Sequence, residues 1–257
     1  MNAEVWRYLD SGALTGAENM AIDAAMMQVH SENDTPPTLR VYGWRPPAVS
    51  LGRFQRAESS IDPEACRERG IDVVRRPTGG RAILHTAEEV TFSLVASAAR
   101  LGTTGVMDSY RLLAQGIVAG LRSLGLDARL VERSAPPPSG TSQDPACFAV
   151  MARCDLVGAD GKLVGSAQVQ RNGVILQQNS LPLRINLDDW RRVFRRSHDA
   201  PQATGLCDAA GRIVAYHEVA AALRDGFAST FDVELRKSDL TQQERALVRQ
   251  LLAEVAV

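Results

Sequence analysis

The residues best suited to chemistry are Cys147, Lys162 and the run Arg75-Arg76-Pro77-Thr78-Gly79-Gly80-Arg81-Ala82-Ile83-Leu84-His85. Cys147 stands where a Pro/Ser/Gly-rich stretch, Ser134 to Pro145, gives way to a strand pattern. That position suits a thiol carried on an accessible segment. A thiol attacks only as thiolate and needs a positive charge nearby. Lys162 could supply it, because Asp160-Gly161 is a hairpin signal and Lys162 opens the return strand. A strand of that length could equally keep the two apart. Lys237 is the only other lysine in an arginine-rich chain. A compact ammonium fits a tight site where a guanidinium would not, although an exposed turn lysine gives the same pattern. Cys66 falls in a helix pattern and Cys154 shares a strand face with Val150, Ala152 and Leu156, so both read as core thiols; Cys207 has no partner in sequence.

The glycine pair Gly79-Gly80 allows positive φ and close backbone approach. Arg75, Arg76 and Arg81 beside it could hold an anion through paired N–H donors, or could be solvated arginines of an ordinary hairpin. His85 reads as a positioning residue rather than a base, since nothing in sequence pairs it with a carboxylate. A P-loop is rejected, with Leu163 where Ser or Thr is needed and Leu156 where the first Gly is needed. His30, His85, His198 and His217 are scattered, no HExxH occurs, and the cysteines match no zinc spacing, so no metal site and no cofactor are expected.

These residues need elements to hold them. The pattern predicts strands at 6–9, 38–42, 48–51, 71–74, 90–95, 128–131, 149–157, 162–167 and 174–177, with breaks at Asp10-Ser11-Gly12 and a hairpin at Asn172-Gly173. Helices are expected at 17–28, from Asp62-Pro63-Glu64 to Gly70, at 107–124, at 216–230, and at 241–256 behind a Thr241/Glu244 capping box. Residues 187–196 form a basic amphipathic helix whose Arg191, Arg192, Arg195 and Arg196 make either a solvated face or a dock for an acidic protein. The class is α+β, with mixed or antiparallel sheets and helices packed against them.

The chain has 257 residues, 45% hydrophobic and 23% charged, with net charge −1. That balance is ordinary for a soluble globular protein and argues against one that coats nucleic acid. No signal peptide or membrane span is indicated, so a reduced, cytoplasmic protein is expected.

The Arg75–His85 run resembles the signature loop of the biotin/lipoate ligase and octanoyltransferase superfamily. Asp10-Ser11-Gly12 with Asn19–Asp23, Tyr42–Gly52 with Gln55, Lys162–Gln168, and Val174–Gln178 match the family in order, covering roughly residues 6 to 185. The chain is most similar to the octanoyl-[acyl-carrier-protein]:protein N-octanoyltransferases of the Gram-positive type. Cys147-Phe148 stands where those enzymes are thought to carry an acyl-thioester cysteine. Arg81 stands where lipoate ligases usually have a third glycine, and their His-Asp-x-Gly-Asn run is missing after His85, where Thr86-Ala87-Glu88 follows. The octanoyltransferases often have Asp at Thr86.

The resemblance implies a single catalytic domain over 1–257, with its core at about 6–235 and a C-terminal helix at 241–256. It implies Cys147 as nucleophile, Lys162 as the stabilising cation, and a substrate-binding wall of Arg76, Gly79, Gly80, Arg81, His85, Gly165, Ser166 and Ala167. The implied partners are octanoyl-acyl carrier protein as donor and lipoyl domains or glycine-cleavage H protein as acceptors, with no nucleic acid or membrane, for a monomer. An ATP-dependent lipoate ligase, an octanoyl-H-protein amidotransferase and a non-catalytic binding module are the alternatives.

Overall fold

A computed structural model describes residues 3–33, 35–132, 144–149, 154–194 and 201–255. In chain order the elements are β1 (Glu4–Leu14), α1 (Gly16–Asn33), β2 (Thr38–Trp44), β3 (Ala48–Leu51), α2 (Ala57–Ser60), α3 (Pro63–Glu68), β4 (Asp72–Arg75), β5 (Ile83–His85), β6 (Glu89–Ser97), α4 (Val106–Ser123) and β7 (Arg129–Glu132). They continue with β8 (Cys154–Val157), β9 (Lys162–Arg171), β10 (Val174–Pro182), α5 (Leu187–Val193), α6 (Leu206–Ala210), α7 (Tyr216–Phe231), β11 (Val233–Lys237) and α8 (Gln242–Val255).

Eight strands form a mixed sheet in the order β11-β1-β2-β6-β10-β9-β8-β7, and β4-β3-β5 form a second, smaller sheet. The class is α+β, as the interspersed patterns predicted. β11 and β2 flank β1 in parallel, while β6, β10, β9, β8 and β7 follow as antiparallel neighbours. α4 and α7 bury Leu113, Ile117, Leu121, Leu223 and Phe227 against one face of the large sheet. α1 lies on the other face through Ile22, Met26 and Met27, and meets the small sheet through Met20 and Ala21. α8 packs on α1. No helix among the described residues is long and apolar enough to cross a membrane.

Local chemistry accounts for the predicted boundaries that hold. The Asp62 side chain accepts from the backbone of Glu64 and Ala65, with Pro63 at the first helical position of α3. Thr241 and Glu244 cap α8 reciprocally at 3.1 and 2.6 Å. Asn172 and Gly173 both take positive φ in the β9–β10 turn, as a two-residue hairpin requires.

Several expectations change. β1 does not end at Leu9; it runs through Asp10-Ser11-Gly12 to Leu14, absorbing the break as a register shift against β2. The strand expected over 149–157 begins at Cys154 within the described residues, and Ala149 instead closes a 3₁₀ turn, Cys147–Ala149. Residues 134–143, 150–153 and 195–200 lie outside the described residues, so the expected mobile loop, the strand-face reading of Cys154 and the roles of Arg195 and Arg196 carry no structural account. α5 ends at Val193 with Trp190, Val193 and Phe194 buried, so that helix is packed into the core.

One buried ion pair holds the ends of the chain together. Arg7 on β1 donates to both carboxylate oxygens of Glu244 on α8, at 2.7 and 2.8 Å. Burial works against the Glu244 charge, but Arg7 and the cap at Thr241 outweigh it and hold the carboxyl below its ordinary value. This stabilisation is therefore present above the free glutamate range of about 4.3 and fades as pH falls through the lowered value. Glu244→Ala leaves the Arg7 guanidinium buried without its carboxylate, and is expected to cost about 3–5 kcal/mol. Urea unfolding should show a lower midpoint at unchanged slope.

Candidate active site

The signature loop leaves β4 and is gathered around the buried side chain of Arg76. Its Nη1 donates to the Ser50 carbonyl at 2.8 Å and to Ser50 Oγ at 3.2 Å. Its Nη2 donates to the carbonyls of Gly79 and Arg81, both at 2.7 Å, and its Nε to Thr78 Oγ1 and the Gly79 carbonyl. All five N–H groups thus serve the protein itself, so Arg76 clips the loop rather than waiting for an anion. Burial lowers it to about 10, still protonated at neutral pH. Gly80 takes a φ of +90°, and Gly52 on the facing loop passes so close that a Cβ there would sit 1.9 Å from the Gly80 oxygen.

The clip is fastened to the rest of the fold through a buried polar chain. Thr78 Oγ1 donates to Gln178 Oε1 at 2.8 Å, and Gln178 Nε2 donates to Asp23 at 2.7 Å. Asp23 on α1 also accepts from Arg40, Tyr42 and Ser93 at 2.8, 2.9 and 2.7 Å. Four donors thereby support one buried carboxylate, which leaves no lone charge in the interior.

The loop's far end carries the cysteine. Ala82 donates to the Pro145 carbonyl at 2.9 Å and accepts from the Cys147 N–H at 2.8 Å. Gln55 Nε2 holds the same Pro145 carbonyl at 3.1 Å. Lys162, only 1% exposed, brings Nζ to 3.8 Å from Cys147 Sγ and 2.9 Å from Asp155 Oδ1. The possibility that strand length would separate thiol and ammonium is therefore not realised. The register shift between Leu156 and Val157, opposite the start of β9, helps bring Asp155 and Lys162 together. Residues 202–204 pair with the Lys162 backbone and close the other side. Burial opposes the Lys162 charge, but the Cys147 thiolate and the Asp155 carboxylate outweigh it, so Lys162 titrates above the ordinary lysine value; Arg81 is near enough to oppose them.

The other described thiols differ. Cys66 is buried, and burial pushes it up to about 11. Cys207 is buried and accepts from the Val214 N–H at 3.3 Å. Cys147 is half-buried and is the described thiol that faces a fixed cation.

His85 lies elsewhere in the same loop and does have a carboxylate partner. Its Nδ1 is 2.8 Å from Glu89 Oε1, its Nε2 is 2.8 Å from Ser50 Oγ, and its ring stacks on Trp44 at 3.9 Å. These contacts suit a positioning role. Arg76, His85 and Ala167 border a narrow cavity between the two sheets, with Met20, Trp44 and Ser180. Its free space is about 20 Å³, room for roughly one water, so an eight-carbon chain enters only if side chains such as flexible Met20 move. Gly165 lies under the Phe148 ring, where a Cβ would come to 3.0 Å. Strand alternation turns Ser166 away from Gly165 and Ala167, and its hydroxyl donates to Asn179 at 2.8 Å. Gly79, Gly80 and Arg81 form the turn and its exit rather than the cavity lining. Asp155 and Glu89 were missed from sequence; a His followed four residues later by Glu was the only local sign of the second.

Comparison with known proteins identifies the family. The family model "Lipoyl protein ligase A/B catalytic domain" matches residues 15–228. Octanoyltransferase LipM of Kyrpidia tusciae is 42% identical over 269 residues, covering 97% of this chain and 96% of the relative. Octanoyltransferase LipM of Moorella thermoacetica is 40% identical, covering 100% and 97%. Among solved structures, lipoate-protein ligase A bound with ATP superposes with a TM-score of 0.80 at 25% identity, covering 99% and 95%. A bipartite lipoate protein ligase from Thermoplasma acidophilum, described with its E2 lipoyl domain, gives 0.76 at 25%, covering 98% and 93%. A loop clipped by Arg76, a cysteine segment paired to its end and a buried lysine opening the next hairpin thus sit on a shared framework, and the chain belongs to the lipoyl protein ligase A/B catalytic-domain family.

Proposed function

We propose that this protein is an octanoyltransferase of lipoate biosynthesis that works through a thioester on Cys147. The observation that carries the reading is the 3.8 Å approach of a buried ammonium to a half-buried thiol, with Asp155 on the ammonium's other side. The octanoyltransferase relatives support it, as does their near-full-length coverage.

The Cys147 thiolate attacks the carbonyl carbon of an octanoyl thioester on an acyl carrier protein. The Lys162 ammonium stabilises the thiolate and then the oxyanion. The carbon–sulfur bond to the carrier breaks, and the carrier leaves as a thiol after taking up a proton. A lysine amine of a lipoyl domain or glycine-cleavage H protein then attacks the Cys147 thioester. A carbon–nitrogen bond forms, the cysteine leaves as thiolate, and the amine gives up a proton. Thioester to thioester to amide runs downhill, so no nucleotide is consumed. Because Lys162 is held protonated, its part is that of a fixed cation rather than a general base. The acyl tail would follow the wall from Ile83 and Ala167 towards Trp44, the cavity widening around it.

The likeness to an ATP-bound lipoate ligase defines the competing reading, in which transfer needs ATP and survives loss of the thiol. Octanoyl transfer from carrier protein to a lipoyl domain, assayed without ATP, is expected to proceed and to vanish in Cys147→Ala. Lys162→Ala should lower kcat/KM by about 10²–10³, the scale of losing one preorganised oxyanion donor. Absolute dependence on ATP, or full activity in Cys147→Ala, would contradict the reading. Octanoyl-H protein as a donor equal to carrier protein would point to an amidotransferase.

The Asp155 pair makes a second prediction, on pH. A raised lysine keeps its stabilising charge at every pH below the ordinary value of about 10.4 and loses it only as pH climbs through the raised one. Asp155→Asn removes one of two groups opposing burial, so the ammonium should discharge at lower pH. The pH profile of kcat/KM should then gain an alkaline limb that the parent protein lacks in the same range. An unchanged profile would show that Asp155 does not hold the charge.

A further inference from the structure

The cavity between the two sheets has free space of about 20 Å³, so an acyl tail enters only where the lining yields, and most of the lining is fastened. Trp44 Nε1 donates to Thr91 Oγ1 at 2.7 Å, and Thr91 Oγ1 donates on to Glu89. Glu89 faces His85 Nδ1 at 2.8 Å, and the His85 ring lies back on Trp44 at 3.9 Å, within 10° of parallel. These four side chains close a ring in which none turns alone. Ser50 joins the ring to the buried Arg76 clip. Tyr42 and Gln178 are both anchored on Asp23, at 2.9 and 2.7 Å. A satisfied buried network of this kind is stiff.

Beside Trp44, the apolar lining consists of Ile83, Ala167 and Met20. Ile83 is β-branched, and its strand pairs with β3 opposite Ser50, so it has little freedom to turn. Ala167 has no side-chain torsion to use. Met20 differs. It is 1% exposed, so its thioether fills interior space, yet its polar contact is weak, Gln178 Nε2 to Sδ at 3.5 Å. Its side chain is unbranched and adapts readily. It shares its core cluster with Ala17, Ala21 and Ala48, small side chains that crowd it least. A second small cavity lies across β5, on the Leu84 side of the strand, bordered by Phe148, Trp190, Pro182 and Pro201. Its free space is about 30 Å³, and its rings and prolines offer no comparable give.

We infer that Met20 is the movable wall of the acyl chamber and the residue that sets the length of tail accepted. The tail enters by turning Met20 aside, and its far carbons take the space that the thioether vacates. The inference rests on the transferase reading above and adds what limits the substrate's length. The route from the cysteine is continuous. Cys147 N–H is paired to Ala82, Ile83 follows and borders the cavity, and both Ile83 and the Phe148 ring lie against Gly165. A chamber that opens only as far as one side chain moves admits chains up to a limit. Methylenes beyond that limit press on the locked ring at Trp44 and His85, and overpacking a stiff wall is unfavourable.

The test uses butanoyl, octanoyl and decanoyl thioesters of N-acetylcysteamine, so that chain length is the only variable, and follows Cys147 acylation by mass spectrometry. Ratios of rate constants within one variant do not depend on how much of it is folded. Met20→Ala is expected to raise the decanoyl-to-octanoyl ratio by at least ~tenfold, the scale of a methylene in an apolar pocket. Met20→Ile keeps the volume but stiffens the wall, so it should fold like the parent and lower the octanoyl-to-butanoyl ratio by a similar factor. Leu84→Ala, in the second cavity, should leave both ratios as in the parent protein. An unchanged ratio in either Met20 variant that folds overturns the inference. A shift towards decanoyl in Leu84→Ala also overturns it, because the tail would then lie across β5. If no thioester acylates even the parent protein, the transferase reading fails, and calorimetry with octanoate and decanoate reads the chamber directly. A shift towards decanoate in Met20→Ala then upholds the inference, and no shift, or no binding of either, overturns it.

Discussion

A lysine ammonium cannot stay charged in a dry interior unless other charges hold it there. Lys162 is almost wholly buried, and the Asp155 carboxylate and the Cys147 sulfur are the groups that hold it. Each reaches it from a different piece of chain: Asp155 from β8, Cys147 from the turn paired to the signature loop, and a backbone clamp from residues 202–204. The same arrangement constrains the sulfur in return. The sulfur faces one fixed, solvent-shielded cation at 3.8 Å, and a negative charge developing beside it would meet a charge already oriented. Removing either the carboxylate or the burial changes the charge the ammonium can hold, so electrostatics and packing are coupled at this point.

The signature loop serves that centre indirectly. Its buried guanidinium holds three backbone carbonyls, and a chain of side-chain hydrogen bonds ties it through Thr78 and Gln178 to Asp23 on α1. Loops with few contacts wander; this one is over-determined, and its exit strand at Ala82 is where the cysteine segment pairs. The loop therefore acts as a jig for the Cys147 segment. The cavity behind it is bordered by Trp44 and His85, with Glu89 and Ser50 fixing the imidazole.

Much of this was legible in local sequence chemistry. Asp160-Gly161 announces the hairpin that returns Lys162 towards Cys147, Thr241 and Glu244 announce the last helix, and the accessible setting of Cys147 separates it from Cys66. What escaped is non-local or depends on register. Asp155 meets Lys162 across a shifted β8–β9 pairing that no periodicity encodes. β11 lies beside β1 although nearly the whole chain separates them, and Arg7 finds Glu244 by the same long closure. Arg76 was legible as a loop arginine, but whether its donors face a ligand or the loop's own carbonyls is decided by three-dimensional packing. Ser166 belonged to a recognisable strand, and alternation alone turns its side chain away from its neighbours' face.

The central claim is that the octanoyl group rests on Cys147 on its way to the acceptor. The most direct measurement is to mix the protein with octanoyl-acyl carrier protein, quench without acceptor, and map the acyl group by peptide mass spectrometry before and after hydroxylamine. The account predicts an octanoyl adduct on the peptide containing Cys147, removed by hydroxylamine as a thioester and chased onto a lipoyl domain when one is added. No adduct, an adduct on another residue, or a Cys147 adduct that cannot be chased would contradict it.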